Sequence, residues 1–367
     1  LNIYLNRLEH NLNFLKSISP DKNSLIGVVK ANAYGHGIIE ISKKLVSMGV
    51  SRLSVASVSE GKLLRENDIN CNIIVYYPDP FELNDIINYS LEPAIYSKRI
   101  LKKLIKLLDK NKRDFSVHLK FNTGLNRLGF KFEDVEWVIK KIDKARLRVL
   151  SVYSHLSASE DKKNNLNTKK QLKIFNKIKS KFYDLNSEIK YHLLNSSGIF
   201  NYPEHQYDWV RSGISLYGYS NNSDWDKNLL PVAELKTKII QIHNVKKGEC
   251  VGYNNGWIAK KKSKIAIIPI GHADGIGRYF KNRNVTVKVN QLKAPIIGNI
   301  CMDIFMIDVS HIQCKEWDEV VIFDQKNPAN IFAESAGTIS YEILSSLGNR
   351  IKRCLLYTSD AADESSS

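Results

Sequence analysis

The sequence predicts an α/β protein: an N-terminal (β/α)8, TIM-like barrel followed by a mostly antiparallel β domain. Three observations carry that prediction. Short apolar runs recur at intervals of about 20 to 35 residues through the first part of the chain, separated by amphipathic helix-like stretches. A polar, turn-rich stretch, Asn221 to Asp226, then interrupts the pattern. Beyond Ala233 the runs become shorter, β-branched and closely spaced, with no long helices between them. The expected domains are therefore residues 1–225 and 226–353.

Taken in order, Leu1 to Lys16 begins with alternation and passes into helical spacing at Leu8, Leu12 and Leu15. Leu25 to Val29 is a buried-strand run, and Ile38 to Val46 has the helical period. Further strand-like runs are Leu53 to Ala56, Ile73 to Tyr77, Leu91 to Tyr96, Phe115 to Leu119, Leu147 to Tyr153, Lys190 to Leu194 and Ile214 to Tyr217. Segments such as Ile100 to Leu108 and Leu172 to Phe182 supply helices between them. Strand–helix alternation implies parallel strands joined by crossovers, and about eight strands close a barrel. In the second part, Thr237 to Ile242, Ile265 to Pro269, Val285 to Val289, Ala294 to Ile297 and Val320 to Phe323 read as strands, and Thr338 to Leu347 returns to helical spacing. The end of the chain, 354–367, reads CLLYTSDAADESSS, has no periodicity, and is expected to be a non-native junction or a disordered tail.

Composition excludes several classes. No run of about 18 apolar residues occurs, so a membrane span is not expected. The net charge of +16 invites a nucleic-acid reading, but the basic residues lie in short scattered runs such as Lys102-Lys103 and Lys260 to Lys262, with no aromatic platform beside them. A solvated lysine-rich surface accounts for them better. Five cysteines without C-x-x-C spacing argue against a disulfide framework or a zinc site, and for a reducing compartment. Leu1 opens inside a strand-like run, so the natural chain is expected to begin earlier.

The chemistry centres on VVKANAYGHG, Val28 to Gly37, where an apolar strand ends in Lys30 and a glycine-bearing loop leads into a helix. A lysine at the end of a parallel strand stands where such barrels place their active sites. Burial disfavours its charged form and frees a nucleophilic amine of the kind that bonds carbonyl cofactors.

That ten-residue stretch resembles the signature around the pyridoxal-phosphate lysine of alanine racemases, and further blocks follow in that family's order. HLKFNTGLNRLGF, His118 to Phe130, resembles HLKxDTGMxRLGF; IPIGHADGIGR, Ile268 to Arg278, resembles IPxGYADGxxR; and GNICMDIFMIDVS, Gly298 to Ser310, resembles GxVCMDxxMVDV. The resemblance implies pyridoxal 5'-phosphate held by Lys30, Tyr34, His155, Ser196, Arg211, Gly213, Ile214 and Tyr341. It implies a substrate site of Arg127, Cys301, Met302, Asp303 and His272. Lys120 matches a lysine that is carbamylated in several members. Asn122 stands in place of an aspartate, His272 in place of a tyrosine at the substrate entrance, and Asn254 in place of the second glycine of VGYG.

By the same resemblance Tyr253 is a second catalytic base opposite Lys30. The demand is stereochemical, because a racemase removes a proton from one face of the α-carbon and returns one to the other. Arg211 would face the cofactor's ring nitrogen, and an arginine does not give up its proton, so that nitrogen stays unprotonated and the ring is a weaker electron sink. The implied function is interconversion of L- and D-alanine, supplying D-alanine for peptidoglycan in the cytoplasm. It would be carried out by a homodimer whose partner chain contributes Tyr253 and Met302. The alternatives are a broader-specificity amino-acid racemase of the same fold and a non-catalytic pyridoxal-phosphate carrier, with nucleic-acid binding further off.

Overall fold

The computed structural model describes residues 1–357 other than positions 20, 22–23, 112–113, 146, 161–164, 221 and 282–284. The chain forms two compact units. One comprises Glu9–Ala33 and Ile38–Leu229, the other Leu1–Leu8, Tyr34–Gly37 and the chain from Leu230 onward.

The first unit is an eight-stranded parallel sheet. Its strands are β2 (Leu25–Val28), β3 (Arg52–Val55), β4 (Asn72–Val75), β5 (Glu92–Ile95), β6 (Phe115–Lys120), β7 (Leu147–Tyr153), β8 (Lys190–His192) and β9 (Val210–Ser212), β1 being assigned below. They run in chain order from β2 to β8, and β9 returns to pair with β2. A bridge between His192 and Trp209 ties β8 to the approach of β9, so the sheet is nearly closed. Apolar side chains fill the strands: Leu53, Val55, Ile73, Ile74, Val75, Ala94, Ile95, Val117 and Leu119 are all inaccessible. Helices with one apolar face, such as Ile38–Ser47 with Ile38, Ile41 and Leu45 inward, cover the outside. The expected strand Ile214 to Tyr217 is instead a buried turn, and the eighth strand lies just before it at β9.

The second unit is a nine-stranded, mostly antiparallel sheet. It includes β10 (Ala233–Lys238), β11 (Gln241–Val245), β14 (Ser263–Ile268), β15 (Thr286–Val289), β16 (Leu292–Ile297), β17 (Phe305–Asp308) and β18 (Glu319–Phe323); β12 (Cys250–Val251) and β13 (Trp257–Ile258) pair separately. Two expectations are corrected here. The expected domain 1–225 includes the N-terminus, yet β1 (Asn2–Tyr4) pairs antiparallel with β10 and parallel with β19 (Cys354–Leu356). The tail expected from position 354 therefore starts too early, since Cys354–Leu356 is a paired strand and Leu356 is buried. Its remainder, 358–367, lies outside the described residues, as do Asn221 of the expected boundary and Asp161. The helix Ala329–Ser335 was not anticipated, while Ser340–Ser345 falls inside the expected helical stretch.

Glycine is required at Gly35. Its φ is +80°, and a Cβ there would stand 1.9 Å from the Leu344 carbonyl oxygen.

A chain ended after Arg353 should unfold at a lower urea midpoint than one ended after Tyr357. It loses the β1–β19 ladder and the burial of Leu356, together worth about 2–3 kcal/mol. Coincident midpoints would show that β19 is not part of the cooperative fold.

Candidate active site

The C-terminal ends of the barrel strands converge several functional side chains. Lys30 follows β2 after Val29, whose N–H donates to the Ser54 carbonyl. Beyond Lys30 the backbone turns left-handed, with φ of 53°, 54°, 53° and 52° from Ala31 to Tyr34. Non-glycine residues adopt that conformation at a cost of roughly 1–2 kcal/mol each, so something must hold them. Glu60 does part of this: one carboxylate oxygen accepts from the Ala31 N–H at 2.6 Å, the other from the Ala56 N–H at 2.8 Å. Asn32 Oδ1 accepts from the Ile38 N–H at 2.8 Å and fixes the start of the next helix.

Lys30 is half-buried. Burial first, then the charge of Arg127, hold its amine below the ordinary lysine range, with Glu60 opposing. Lys120, buried at the end of β6, is pushed down to about 8 by burial, then by Arg127, Arg211 and Lys30. Arg211 is buried on β9, and desolvation is the main influence lowering it. These four cations therefore share one electrostatic neighbourhood. Arg127 is itself exposed, on a loop shaped by Asn122, whose Oδ1 accepts from the N–H groups of Gly124 and Asn126.

Arg211 Nη2 donates to the carbonyls of Ser154 and Leu193 at 2.8 and 2.9 Å and lies 3.3 Å from His155 Nδ1. Burial, followed by Arg211, holds His155 well below the usual histidine range, so its ring is neutral and can accept. Tyr153 lies between the cations. Its ring centroid is 5.3 Å from the Arg211 guanidinium carbon and 5.7 Å from Lys120 Nζ. Its hydroxyl is buried with no hydrogen-bond partner among the described residues, and burial pushes its pKa up. Sequence reasoning passed over Tyr153 and Glu60, although Tyr153 shares the strand-end parity of His155.

The turn after β9 supplies backbone N–H groups. Ser196 Oγ accepts from Gly213 N at 3.1 Å and Ser215 N at 3.4 Å, and Ile214 is buried beside them. Asn195 caps the short helix Ser196–Asn201 through Gly198 N.

The remaining expected residues lie on the second unit. Tyr34 and Tyr341 pack ring against ring at 6.0 Å. Tyr253 is 71% exposed on a one-turn segment that begins at Gly252, and Met302 is 59% exposed. Their loops are cross-tied: His272 and Ala273 N–H groups donate to the Cys301 and Met302 carbonyls, both at 3.0 Å. Arg350 bridges Asp274 and Asp303, at 2.5 and 2.6 Å. Cys301 is half-buried and His272 exposed.

A nearly closed parallel barrel with a depressed lysine amine among neighbouring cations at its strand ends is the kind of site an α/β-barrel enzyme carries. The family models "Alanine racemase, N-terminal domain" and "Alanine racemase, C-terminal domain" match residues 3–221 and 232–355. The alanine racemase of Clostridium kluyveri is 36% identical over 364 residues, covering 96% of this chain and 92% of that protein. That of Helicobacter pylori is 34% identical over 363 residues, covering 94% and 96%. The solved alanine racemase of Clostridium difficile superposes with a TM-score of 0.91 at 30% identity, covering 97% of this chain and 95% of that one. The Bacillus anthracis enzyme, solved with bound L-Ala-P, gives 0.89 at 27% identity, covering 98% and 95%. The chain belongs to the alanine racemase family, and its activity is alanine racemisation.

The ionisation of Lys30 should respond in opposite directions to its two charged neighbours. Glu60→Gln removes the group that raises its pKa, so Lys30 becomes reactive toward an amine reagent at lower pH. Arg127→Leu removes a group that lowers it, so the onset moves to higher pH. The pH profile of Lys30 labelling, read by peptide mass spectrometry, checks both signs. A common direction would contradict the electrostatic assignment.

Proposed function

We propose that the chain racemises alanine with pyridoxal 5'-phosphate and two bases, Lys30 and Tyr253, each acting on one face of the α-carbon. The observation that carries this reading is the Lys30 amine, half-buried at a strand end and held below the ordinary lysine range. The donor set suits a phosphorylated aldehyde, because Lys30, Lys120 and Arg211 share a partly desolvated mouth that calls for anionic charge. The cofactor, when bound, supplies the electron sink that makes the α-proton of an amino acid removable.

Lys30 Nζ holds the cofactor and exchanges a proton with the D-enantiomer. The phenol of Tyr253 exchanges one with the L-enantiomer. Arg211, anchored to two carbonyls and two histidines, would keep its proton and serve the cofactor's ring nitrogen, with His155 beside it. Ser196, Gly213, Ile214, Tyr34 and Tyr341 hold the phosphate. Arg127 and Met302 orient the substrate carboxylate, with Cys301, Asp303 and His272 around the entrance. The exposure of Tyr253 and Met302 supports their use by a second copy of the chain, in a homodimer with shared sites. The product would be D-alanine for peptidoglycan, made in the cytoplasm.

Lys30→Ala and Tyr253→Phe should each lower racemisation by roughly 100- to 10,000-fold, the usual worth of a positioned acid or base. Mixing the two inactive proteins under subunit exchange should restore activity. Half the dimers are hybrids, each with one site that has both residues, so about a quarter of the wild-type rate returns. No recovery despite exchange would count against shared sites, and an active Tyr253→Phe in both directions would count against two bases.

A further inference from the structure

Behind Arg211 a line of polar side chains crosses the barrel interior. Arg211 Nη1 lies 2.5 Å from His192 Nδ1, and His192 Nε2 is 2.9 Å from Ser151 Oγ. The same oxygen is 2.7 Å from His118 Nδ1, and His118 Nε2 is 2.9 Å from Glu92 Oε2. His118, Ser151 and His192 are inaccessible to solvent, and Arg211 nearly so. The line runs across adjacent strands: Ala94 of β5 pairs with His118, His118 with Ser151, and Tyr153 of β7 with His192. Tyr153 stacks flat on the His192 ring at 4.7 Å, and Trp209 flanks both histidines.

The two ends dictate where every proton sits. A guanidinium only donates, so its bond to His192 requires a bare Nδ1 and a ring proton on Nε2. Burial, then Arg211, hold His192 well below the usual histidine range, which agrees with a neutral ring. His192 Nε2–H then donates to Ser151 Oγ. The single hydroxyl proton is left for His118 Nδ1, and His118 donates from Nε2 to the Glu92 carboxylate, which only accepts. Donation thus runs one way from Arg211 to Glu92. Arg52 stands at the outer end, 3.8 Å from the same Glu92 oxygen.

We propose that Glu92 and His118 are positioning residues for Arg211, fixing from the far side of the barrel the His192 tautomer that anchors its guanidinium. The proposal rests on the reading that Arg211 serves the cofactor's ring nitrogen. A reversed line would turn His192 Nδ1–H against Arg211 and displace the guanidinium, and small displacements near reacting atoms cost large factors in rate.

Nitrogen NMR of the histidine-labelled, pyridoxal-phosphate-loaded enzyme tests it. In the wild type, His192 and His118 should each show a protonated Nε2 and a bare Nδ1. Glu92→Leu removes the terminal acceptor and should move His192, three links away, toward Nδ1 protonation, with kcat falling roughly 10- to 100-fold and KM changing less. Glu92→Gln keeps an acceptor oxygen and should restore both the tautomer and most of kcat. With Ser151→Ala in place, the Glu92→Leu change should no longer reach His192. A wild-type His192 protonated on Nδ1 overturns the proposal without any variant, as does a folded Glu92→Leu whose His192 signals or kcat stay as in the wild type. Undiminished racemisation in Arg211→Leu would overturn it through the reading beneath it, while leaving the wild-type tautomers as stated.

Discussion

The barrel rests on an unfavourable act: bringing several permanent or near-permanent cations together out of water. Desolvation is the largest influence on Lys30, Lys120 and Arg211, and the charge of Arg127 lowers the proton affinity of all three. A cluster of that kind is costly without a counter-charge. The chain supplies little of its own near Lys30, where Glu60 is the carboxylate that opposes the trend, and its oxygens already hold two backbone N–H groups. An anionic ligand would supply the missing counter-charge. The same crowding that destabilises the mouth lowers the pKa of the Lys30 amine, so stability is exchanged for reactivity at one residue.

Local backbone serves that exchange. Four consecutive left-handed residues follow Lys30, and Glu60 and Asn32 clamp the turn. Strain placed beside a reactive group and held by surrounding hydrogen bonds is a recurring feature of functional sites. The barrel interior follows a similar logic. Its polar residues are arranged donor to acceptor from Arg211 to Glu92, so the low dielectric that would penalise an unpaired group strengthens a satisfied one.

Much of this was legible in the sequence. Lys30 stood out because an apolar run ends on it, and the strands from β2 to β8 followed from period and spacing. Ile214 to Tyr217 misled because a buried turn is as apolar as a strand, while β9 is only three residues long. The partner of β1 could not be read because its ladders join Asn2 to Glu234 and Cys354, and nothing local encodes such distances. Glu92, His118 and His192 were invisible as a group, since each is a single polar letter in a different strand and only barrel closure aligns them. The left-handed turn after Lys30 was hidden because alanine and asparagine seldom adopt it, and Glu60, which holds it, lies 30 residues along. The family blocks supplied roles for Tyr253 and Met302 that local pattern would have read as exposed surface.

The most direct test of the crowded-cation account is thermal unfolding of the cofactor-free protein in inorganic phosphate and in chloride at matched ionic strength. The account predicts a phosphate-specific rise in Tm that grows with concentration, as for a ligand bound only by the folded state. Superimposable curves in the two salts would contradict it.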